Sequence, residues 1–172
     1  MLTWPKKTIT VTEHDPRWAA QFEAERALLL GLDPPVVSEV HHIGSTSVPG
    51  LGAKPIIDIA AVTKAPLDEA AHDALRAIGW VHERPLGIPG IRLLAKGDHD
   101  AHLQLVPPGT EHLADHLALR DYLRAHPEEC AGYAALKREL AARFGDDGRS
   151  YTLGKNDLLV ALLARARAEK GR

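Results

Sequence analysis

The chain has 172 residues, with 21 Lys and Arg against 23 Asp and Glu and therefore a formal net charge of −2. This length suits one domain with its own core, and the charge excludes the basic excess with which proteins coat duplex nucleic acid. Hydrophobic residues make up 45% and charged residues 26%, which excludes a wholly disordered chain. Cys130 is the single cysteine and has no disulfide partner, and the sequence shows neither a signal peptide nor a membrane span, so we expect a cytoplasmic protein.

The N-terminal part of the sequence predicts a strand followed by a helix. Residues 8–11 alternate between polar and apolar side chains, as a short strand does. Asp15 is a capping residue and Pro16 suits the first helical position, so the pair predicts a helix start. The apolar residues that follow roughly keep helical spacing, and we expect the helix to end near Gly31.

A glycine-rich loop between two predicted strands comes next. The β-branched stretch 36–43 predicts the first strand, and residues 44–52, with three glycines and a proline, predict a loop or a very short helical turn. Residues 56–62 are apolar apart from Asp58, which predicts a strand covered on both faces. A carboxylate inside such a strand marks Asp58 as a candidate functional residue.

The rest of the sequence divides into a strand-rich and a helix-rich part. Periodicity predicts a helix at 67–78, strands at 80–82, 91–94 and 101–106, a turn at 97–100, and helices at 110–125, 127–144 and 156–168 with a loop at 145–148. We therefore predict an α+β (or α/β) fold in a single domain over residues 1–172. Its mixed sheet with flanking helices would occupy about 8–106, and a helical half about 110–170.

The loop and the strand after it have residue types that bind phosphate. Backbone N–H groups and hydroxyls there can donate to phosphate oxygens, above all if a helix begins in the loop; the candidates are Gly44, Ser45, Thr46 and Ser47. Asp58 would return on the adjacent strand to hold a divalent metal against those phosphates, and Lys54 would add a charge contact. The alternative is a structural glycine turn in which Asp58 caps a neighbouring loop.

Two longer stretches of the sequence resemble a known family. Residues 42–51 read HIGSTSVPGL and residues 53–59 read AKPIIDI. A second block, residues 119–128, reads LRDYLRAHPE, and it is followed by Tyr133, Leu136, Lys137, Tyr151 and Lys155. Together these stretches resemble the GrpB family, from about residue 11 to residue 164. The resemblance implies a nucleotidyltransferase-like fold, in a family that also occurs fused to dephospho-CoA kinase.

The resemblance also implies a metal site that this sequence does not complete. In active nucleotidyltransferases of this fold, the Gly-Ser pair touches the triphosphate and three carboxylates bind two magnesium ions. Two of those carboxylates would fall at Asp58 and at position 60, which here is Ala60. The third would fall on the strand 101–106, whose polar candidates are His102 and Gln104. Because one carboxylate cannot offset two dications, we expect at most one metal ion.

Asp58 and His102 are the candidate catalytic and metal-binding residues, and two roles remain open for them. They could bind one divalent ion such as magnesium, manganese or zinc, with imidazole favouring zinc, manganese or nickel over magnesium. His102 could instead act as a general acid or base that Asp58 orients. A third interpretation makes His102 a half-buried polar residue that is hydrogen-bonded across the sheet.

Basic residues of the predicted helical half are candidates for contacts to an anionic ligand. Arg120 and Arg124 are four residues apart and share a helix face, which could close over a phosphate, and Lys155 belongs to the same set. The alternative pairs these arginines with neighbouring acidic side chains on a solvated surface.

Four further residues, three histidines and the cysteine, have simpler interpretations. His112 and His116 have a zinc-compatible spacing, but Leu113 stands where a metalloprotease has glutamate. His42 ends the first strand and is expected to support the loop by a hydrogen bond. Cys130 is expected to pack in the core.

Two functions from different classes follow from the sequence. The first is a nucleotidyltransferase-like protein that binds a nucleotide or another phosphorylated small molecule and transfers or hydrolyses a nucleotidyl or phosphoryl group. The second is a non-catalytic binding or partner-assisting module that has kept the fold and lost the carboxylates. The incomplete carboxylate set leaves open whether the chain is an enzyme.

Overall fold

A computed structural model of the chain describes residues 8–171. Within these residues the strands are β1 (Val37–Ile43), β2 (Ile57–Thr63), β3 (Trp80–Pro85), β4 (Arg92–Lys96) and β5 (Ala101–Val106). The helices are α1 (Arg17–Leu30), α2 (Glu69–Ala77), α3 (Glu111–Ala125), α4 (Pro127–Phe144), α5 (Gly148–Leu153) and α6 (Asn156–Lys170). A 3₁₀ turn, Ser45–Ser47, lies between β1 and β2.

The strands form one mixed sheet in the order β1-β2-β5-β4-β3. Strands β2 and β5 run parallel, and every other neighbouring pair in the sheet is antiparallel. The connection between the parallel strands runs through α2, β3 and β4, because a parallel pair cannot be joined by a tight hairpin. This arrangement confirms the predicted mixed sheet followed by a helical half.

Helices cover both faces of β2, as its apolar sequence predicts. Ile59 points to a core that it shares with Trp18 of α1 and Leu75 of α2. Ala60 points to the opposite face and packs in a cluster with Leu113 of α3. Because side chains alternate along a strand, Asp58 lies on the same face as Ala60, towards the helical half.

The helical half contacts the loop directly as well as the sheet. Val48 and Leu51 of the loop are buried in a cluster with Leu123 of α3, Tyr133 of α4 and Leu162 of α6. Among the helices of residues 8–171, none has the length and hydropathy needed to cross a membrane.

Two sequence predictions about secondary structure need correction. Residues 8–11 do not form a strand: Ile9 N–H donates to the carbonyl of Gly145 at 2.7 Å, so this segment is tied to a turn and not to the sheet. A further bridge joins Thr12 to Ala53. The predicted loop at 145–148 ends in an additional helix, α5, because the carboxylate of Asp147 accepts hydrogen bonds from the first backbone N–H groups of that helix.

Candidate functional site

The candidate site begins where β1 ends beside the start of β2. Ile43 pairs with Asp58 in the antiparallel ladder, and Gly44 follows with a φ of +69°. A Cβ atom on Gly44 would lie 2.6 Å from Oδ2 of Asp58. Only glycine satisfies both the backbone conformation and this close approach. The contact places the start of the loop against the carboxylate.

The hydroxyl groups of the loop divide into two kinds. Nε2 of His42 lies 3.0 Å from Oγ1 of Thr46, and Oγ of Ser47 donates to the carbonyl of Gly44 at 2.6 Å. Thr46 and Ser47 are buried, so their hydroxyls hold the turn together. Ser45 is partly exposed and lines the cavity beside Asp58. Ser45 is therefore the least buried of the three hydroxyls, although Thr46 lines the same cavity.

His42 supports the loop, as the sequence predicts. Its ring stacks on Phe22 with centroids 4.7 Å apart. Burial lowers the pKa of His42 to about 4, and the nearby charge of Asp58 opposes that shift only in part. A neutral His42 at physiological pH makes this residue a hydrogen-bonding support for Thr46 and not a charged ligand contact.

Two arginines of α3 hold backbone carbonyls at the two ends of the turn. Nη1 of Arg120 donates to the carbonyl of His42 at 3.1 Å. Nε and Nη2 of Arg124 both donate to the carbonyl of Ser47, at 3.0 and 2.6 Å. Arg120 also pairs with Asp121 at 2.8 Å. Neither arginine lines the cavity around Asp58, so the structure places them as braces of the loop.

The cavity beside Asp58 has a volume of about 160 Å³, and we call it the lysine pocket. Its lining comes from the loop, β2, β5 and the helical half: Ser45, Thr46, Ala53, Lys54, Ile56, Asp58, His102, Lys137, Tyr151 and Lys155. Six residues of this lining belong to the site that the sequence predicts: Ser45, Thr46, Lys54, Asp58, His102 and Lys155. Lys137 was outside the predicted ligand set.

One sequence pattern could have identified Lys137 as a pocket residue: a tyrosine stands four residues before it, as one does before Lys155. Tyr133 and Lys137 are four residues apart, as are Tyr151 and Lys155. Nζ of Lys137 lies 4.6 Å from the ring centroid of Tyr133, and Nζ of Lys155 lies 4.4 Å from that of Tyr151. Lys54 approaches the Tyr151 ring from 5.5 Å. Each buried tyrosine thus supports a lysine of the pocket through its ring face.

The lysines of the pocket are poorly solvated and lie close to one another. Only 2% of Lys137 is exposed, and its Nζ donates to the carbonyl of Gly52. Burial lowers the pKa of Lys137 to about 7, with a further contribution from the charge of Lys155. Burial also lowers the pKa of Lys155 to about 8, assisted by Lys54 and opposed by Asp58. The pocket therefore holds three cationic groups against one carboxylate.

Asp58 and His102 are direct neighbours on the parallel strands β2 and β5. Oδ1 of Asp58 lies 3.4 Å from Nδ1 of His102, close enough to orient the ring. Residues 8–171 contain no group of three or more His, Cys, Asp or Glu side chains that could hold a metal ion. Ala60 is fully buried, so the residues present do not fit a two-metal centre.

The remaining candidates have structural roles. Nε2 of His112 lies 2.6 Å from Oε1 of Gln104, the residue beside Ala60 on β5, so a histidine holds the Gln104 amide. Burial lowers the pKa of His116 to about 4, and its ring stands 4.6 Å from that of His112. Cys130 is buried in the cluster of the helical half, which confirms its packing role.

Comparisons with known sequences identify relatives over nearly the whole chain. A family model described as GrpB protein matches residues 8–165. A UPF0157 protein of Streptomyces coelicolor is 37% identical over 94% of this chain and 86% of its own length. The UPF0157 protein YqkA of Bacillus subtilis is 34% identical over 98% of this chain, which spans 50% of the length of YqkA.

Solved structures confirm the predicted fold. The conserved protein GrpB from Enterococcus faecalis has a TM-score of 0.83 at 32% identity, with 95% of this chain and 100% of that chain covered. The Cid1 poly(U) polymerase with MgGTP bound has a TM-score of 0.52 at 16% identity, covering 77% of this chain and 45% of that one. This distant likeness shows that the fold is that of the nucleotidyltransferases.

Replacing Gly44 by Ala should reduce stability by more than the backbone strain alone. Gly50 also has a positive φ, of +79°, but a Cβ there meets no atom within 4 Å. Gly50→Ala should therefore cost about 1 kcal/mol, whereas Gly44→Ala should cost at least ~2 kcal/mol, because Asp58 must also move. Urea unfolding of both variants measures the difference, and equal losses would show that the Gly44 contact with Asp58 is not tight.

Ala60→Asp should destabilise the protein by about 3 kcal/mol at neutral pH, because the new carboxylate would be buried beside Leu113. For the same reason the substitution should not create a second metal site. Burial raises the pKa of such a carboxyl, so the loss should shrink as the pH falls towards about 4, where the unfolded chain also binds the proton. Ala60→Asn separates size from charge. Magnesium calorimetry showing a newly bound ion in the Asp variant would contradict this prediction.

Proposed function

The chain belongs to the GrpB family, and from its site we propose that it binds a nucleotide or another phosphorylated small molecule by its phosphate groups in the lysine pocket. One observation carries the proposal: Ser45 and three lysines from separate parts of the chain meet in the cavity that contains Asp58. Neither the loop nor the helical half forms this pocket alone.

The charges of the pocket favour a phosphate over other small ligands. The lining contains three lysines, Lys54, Lys137 and Lys155, and one acidic residue, Asp58. The positive side chains therefore outnumber the carboxylates. Burial, and to a lesser extent repulsion between the lysines, lowers the pKa values of Lys137 and Lys155. A multiply charged anion would offset both effects. Lysine binds phosphate as a point charge and needs no fixed bidentate geometry. Lysines from separate elements can therefore contact one phosphate group.

Asp58 and His102 lie where they can act on a phosphate held by the lysines. We propose that Asp58 orients His102, which accepts the proton of an attacking hydroxyl or water as a new oxygen–phosphorus bond forms and the leaving group departs. The lysines and Ser45 would stabilise the charge on the phosphate oxygens. If one divalent ion binds, Asp58 and His102 are the residues that hold it, and it supplies further positive charge to the phosphate.

A second candidate function rests on Ala60 and Gln104. Ala60 is packed in an apolar cluster, and the Gln104 side chain is hydrogen-bonded to His112. Neither position supplies a carboxylate to a metal ion. These replacements favour a module that binds the phosphorylated ligand without turning it over.

Incubation of the native protein with ATP and a divalent ion, followed by anion-exchange chromatography, distinguishes the two functions. Release of pyrophosphate or phosphate by the native protein but not by His102→Ala would support transfer or hydrolysis. Binding of ATP by both proteins with no product from either would support the binding module. Failure of ATP, ADP and pyrophosphate to bind would contradict the phosphate proposal itself.

Lys137→Met should weaken phosphate binding without unfolding the protein. Methionine keeps most of the apolar stem and removes a buried charge, but it leaves the Gly52 carbonyl without this donor, so the loss of stability should be no more than about 2 kcal/mol. Pyrophosphate affinity should fall at least tenfold by calorimetry. Lys64→Met, an exposed change outside the lysine pocket, removes the same charge and should leave the affinity unchanged. Equal affinities for the native protein and Lys137→Met would remove Lys137 from the binding site.

Anion binding should weaken as the pH rises. The pKa values of about 7 for Lys137 and about 8 for Lys155 mean that both lysines lose their charge in the empty protein well below the usual lysine range. Sulfate is a suitable probe, because its own charge is constant at these pH values. Its affinity should fall at least tenfold between about pH 6.5 and pH 9, with proton uptake on binding at the higher pH. A flat profile would contradict a role for these lysines.

A further inference from the structure

A second cavity opens beside the lysine pocket, and we call it the outer groove. It has a volume of about 550 Å³, against about 160 Å³ for the lysine pocket. The two cavities share Lys54, Ile56 and His102 in their linings, so they are adjacent. The lysine pocket alone is smaller than the roughly 300 Å³ at which sites for whole small molecules begin, whereas the outer groove falls within that range.

The two cavities differ in charge. The lysine pocket holds three lysines against Asp58. The outer groove sets Lys54 and Arg84 against Asp100 and Asp146, which leaves its side-chain charges balanced. A ligand that fills both cavities would therefore have one anionic end and one end without net charge.

The lining of the outer groove is typical of a surface that binds hydroxyl groups. Its polar groups include the hydroxyls of Thr8 and Thr10 and the carboxylates of Asp100 and Asp146. The Asp146 carboxylate already accepts a hydrogen bond from the Thr8 hydroxyl at 3.0 Å, which shows its suitability as an acceptor for O–H donors. Carboxylates would repel additional phosphate groups but accept hydrogen bonds from sugar hydroxyls.

We infer that the outer groove binds the sugar of the ligand whose phosphates occupy the lysine pocket, an inference that rests on the proposed function. The ligand class is then a nucleoside phosphate or sugar phosphate with its phosphates at one end. Lys54 and His102, which face both cavities, would lie at the junction between phosphate and sugar. A free polyphosphate chain would fit the lysine pocket but gain nothing from the outer groove.

Calorimetry with pyrophosphate and ADP tests this division, because the two probes share a diphosphate and differ in the nucleoside. Thr10 is exposed and lines the outer groove only, so Thr10→Trp should fill the groove. We expect at least a tenfold loss of ADP affinity in Thr10→Trp, with the pyrophosphate affinity within twofold of native. Lys155→Met should weaken both probes at least tenfold. Ala142→Trp adds the same side chain at an exposed position of α4 outside both cavities and should change neither affinity.

The possible failures are distinguishable. If Lys155→Met weakens both probes and Thr10→Trp weakens neither, phosphate binding stands and the sugar lies elsewhere. If neither probe binds the native protein, the proposed function and this inference fail together. A measurement on the native protein alone completes the test: 2′,3′-dideoxy-ADP should bind at least fivefold more weakly than ADP, and equal binding would overturn recognition of the sugar hydroxyls.

Discussion

Three cationic side chains of the helical half donate hydrogen bonds to backbone carbonyls on or beside the glycine-rich loop, and the site depends on these bonds. Arg120 reaches the carbonyl of His42, Arg124 that of Ser47 and Lys137 that of Gly52. Ser47 and Gly52 lie outside the strands and long helices, so side chains satisfy their carbonyls. Because the donors come from α3 and α4, the loop takes its shape only when the two halves of the domain are packed together.

The same interaction explains the unusual position of Lys137. An ammonium group with 2% exposure is costly to bury, and its pKa of about 7 reflects that cost. The carbonyl of Gly52 and the ring of Tyr133 offset part of the cost. A purely structural contact with the Gly52 carbonyl needs only a neutral donor, which would avoid the cost of burying a charge. The buried charge of Lys137 therefore supports the proposal that the lysine pocket binds an anionic ligand.

The sequence predicted the elements that carry strong periodicity or unusual composition. The strand around Asp58 could be predicted because a carboxylate interrupts an apolar run, and the pairing of Asp58 with His102 followed from the fold that the GrpB resemblance implied. The prediction of a strand at residues 8–11 was wrong, because alternation shows that a segment can be extended and not which carbonyl it will meet.

The roles of the basic residues were the least predictable part of the site. Arg124 and Lys155 are both basic residues of the helical half that the sequence predicts as ligand contacts. In the structure Arg124 binds a loop carbonyl, whereas Lys155 lines the cavity. The difference arises because Arg124 lies on α3, which packs on the loop, whereas Lys155 lies between α5 and α6, and no local sequence pattern records this packing. Thr46 and Ser47 likewise resemble Ser45, but their burial commits their hydroxyls to the turn.

A crystal structure of the protein with bound pyrophosphate would test directly whether the lysine pocket binds phosphate. Such binding predicts phosphate oxygens within about 3 Å of Ser45 Oγ and of Nζ of Lys137 and Lys155, with Arg120 and Arg124 still on the loop carbonyls. Pyrophosphate bound by Arg120 and Arg124 instead, with the cavity beside Asp58 filled only by water, would contradict it.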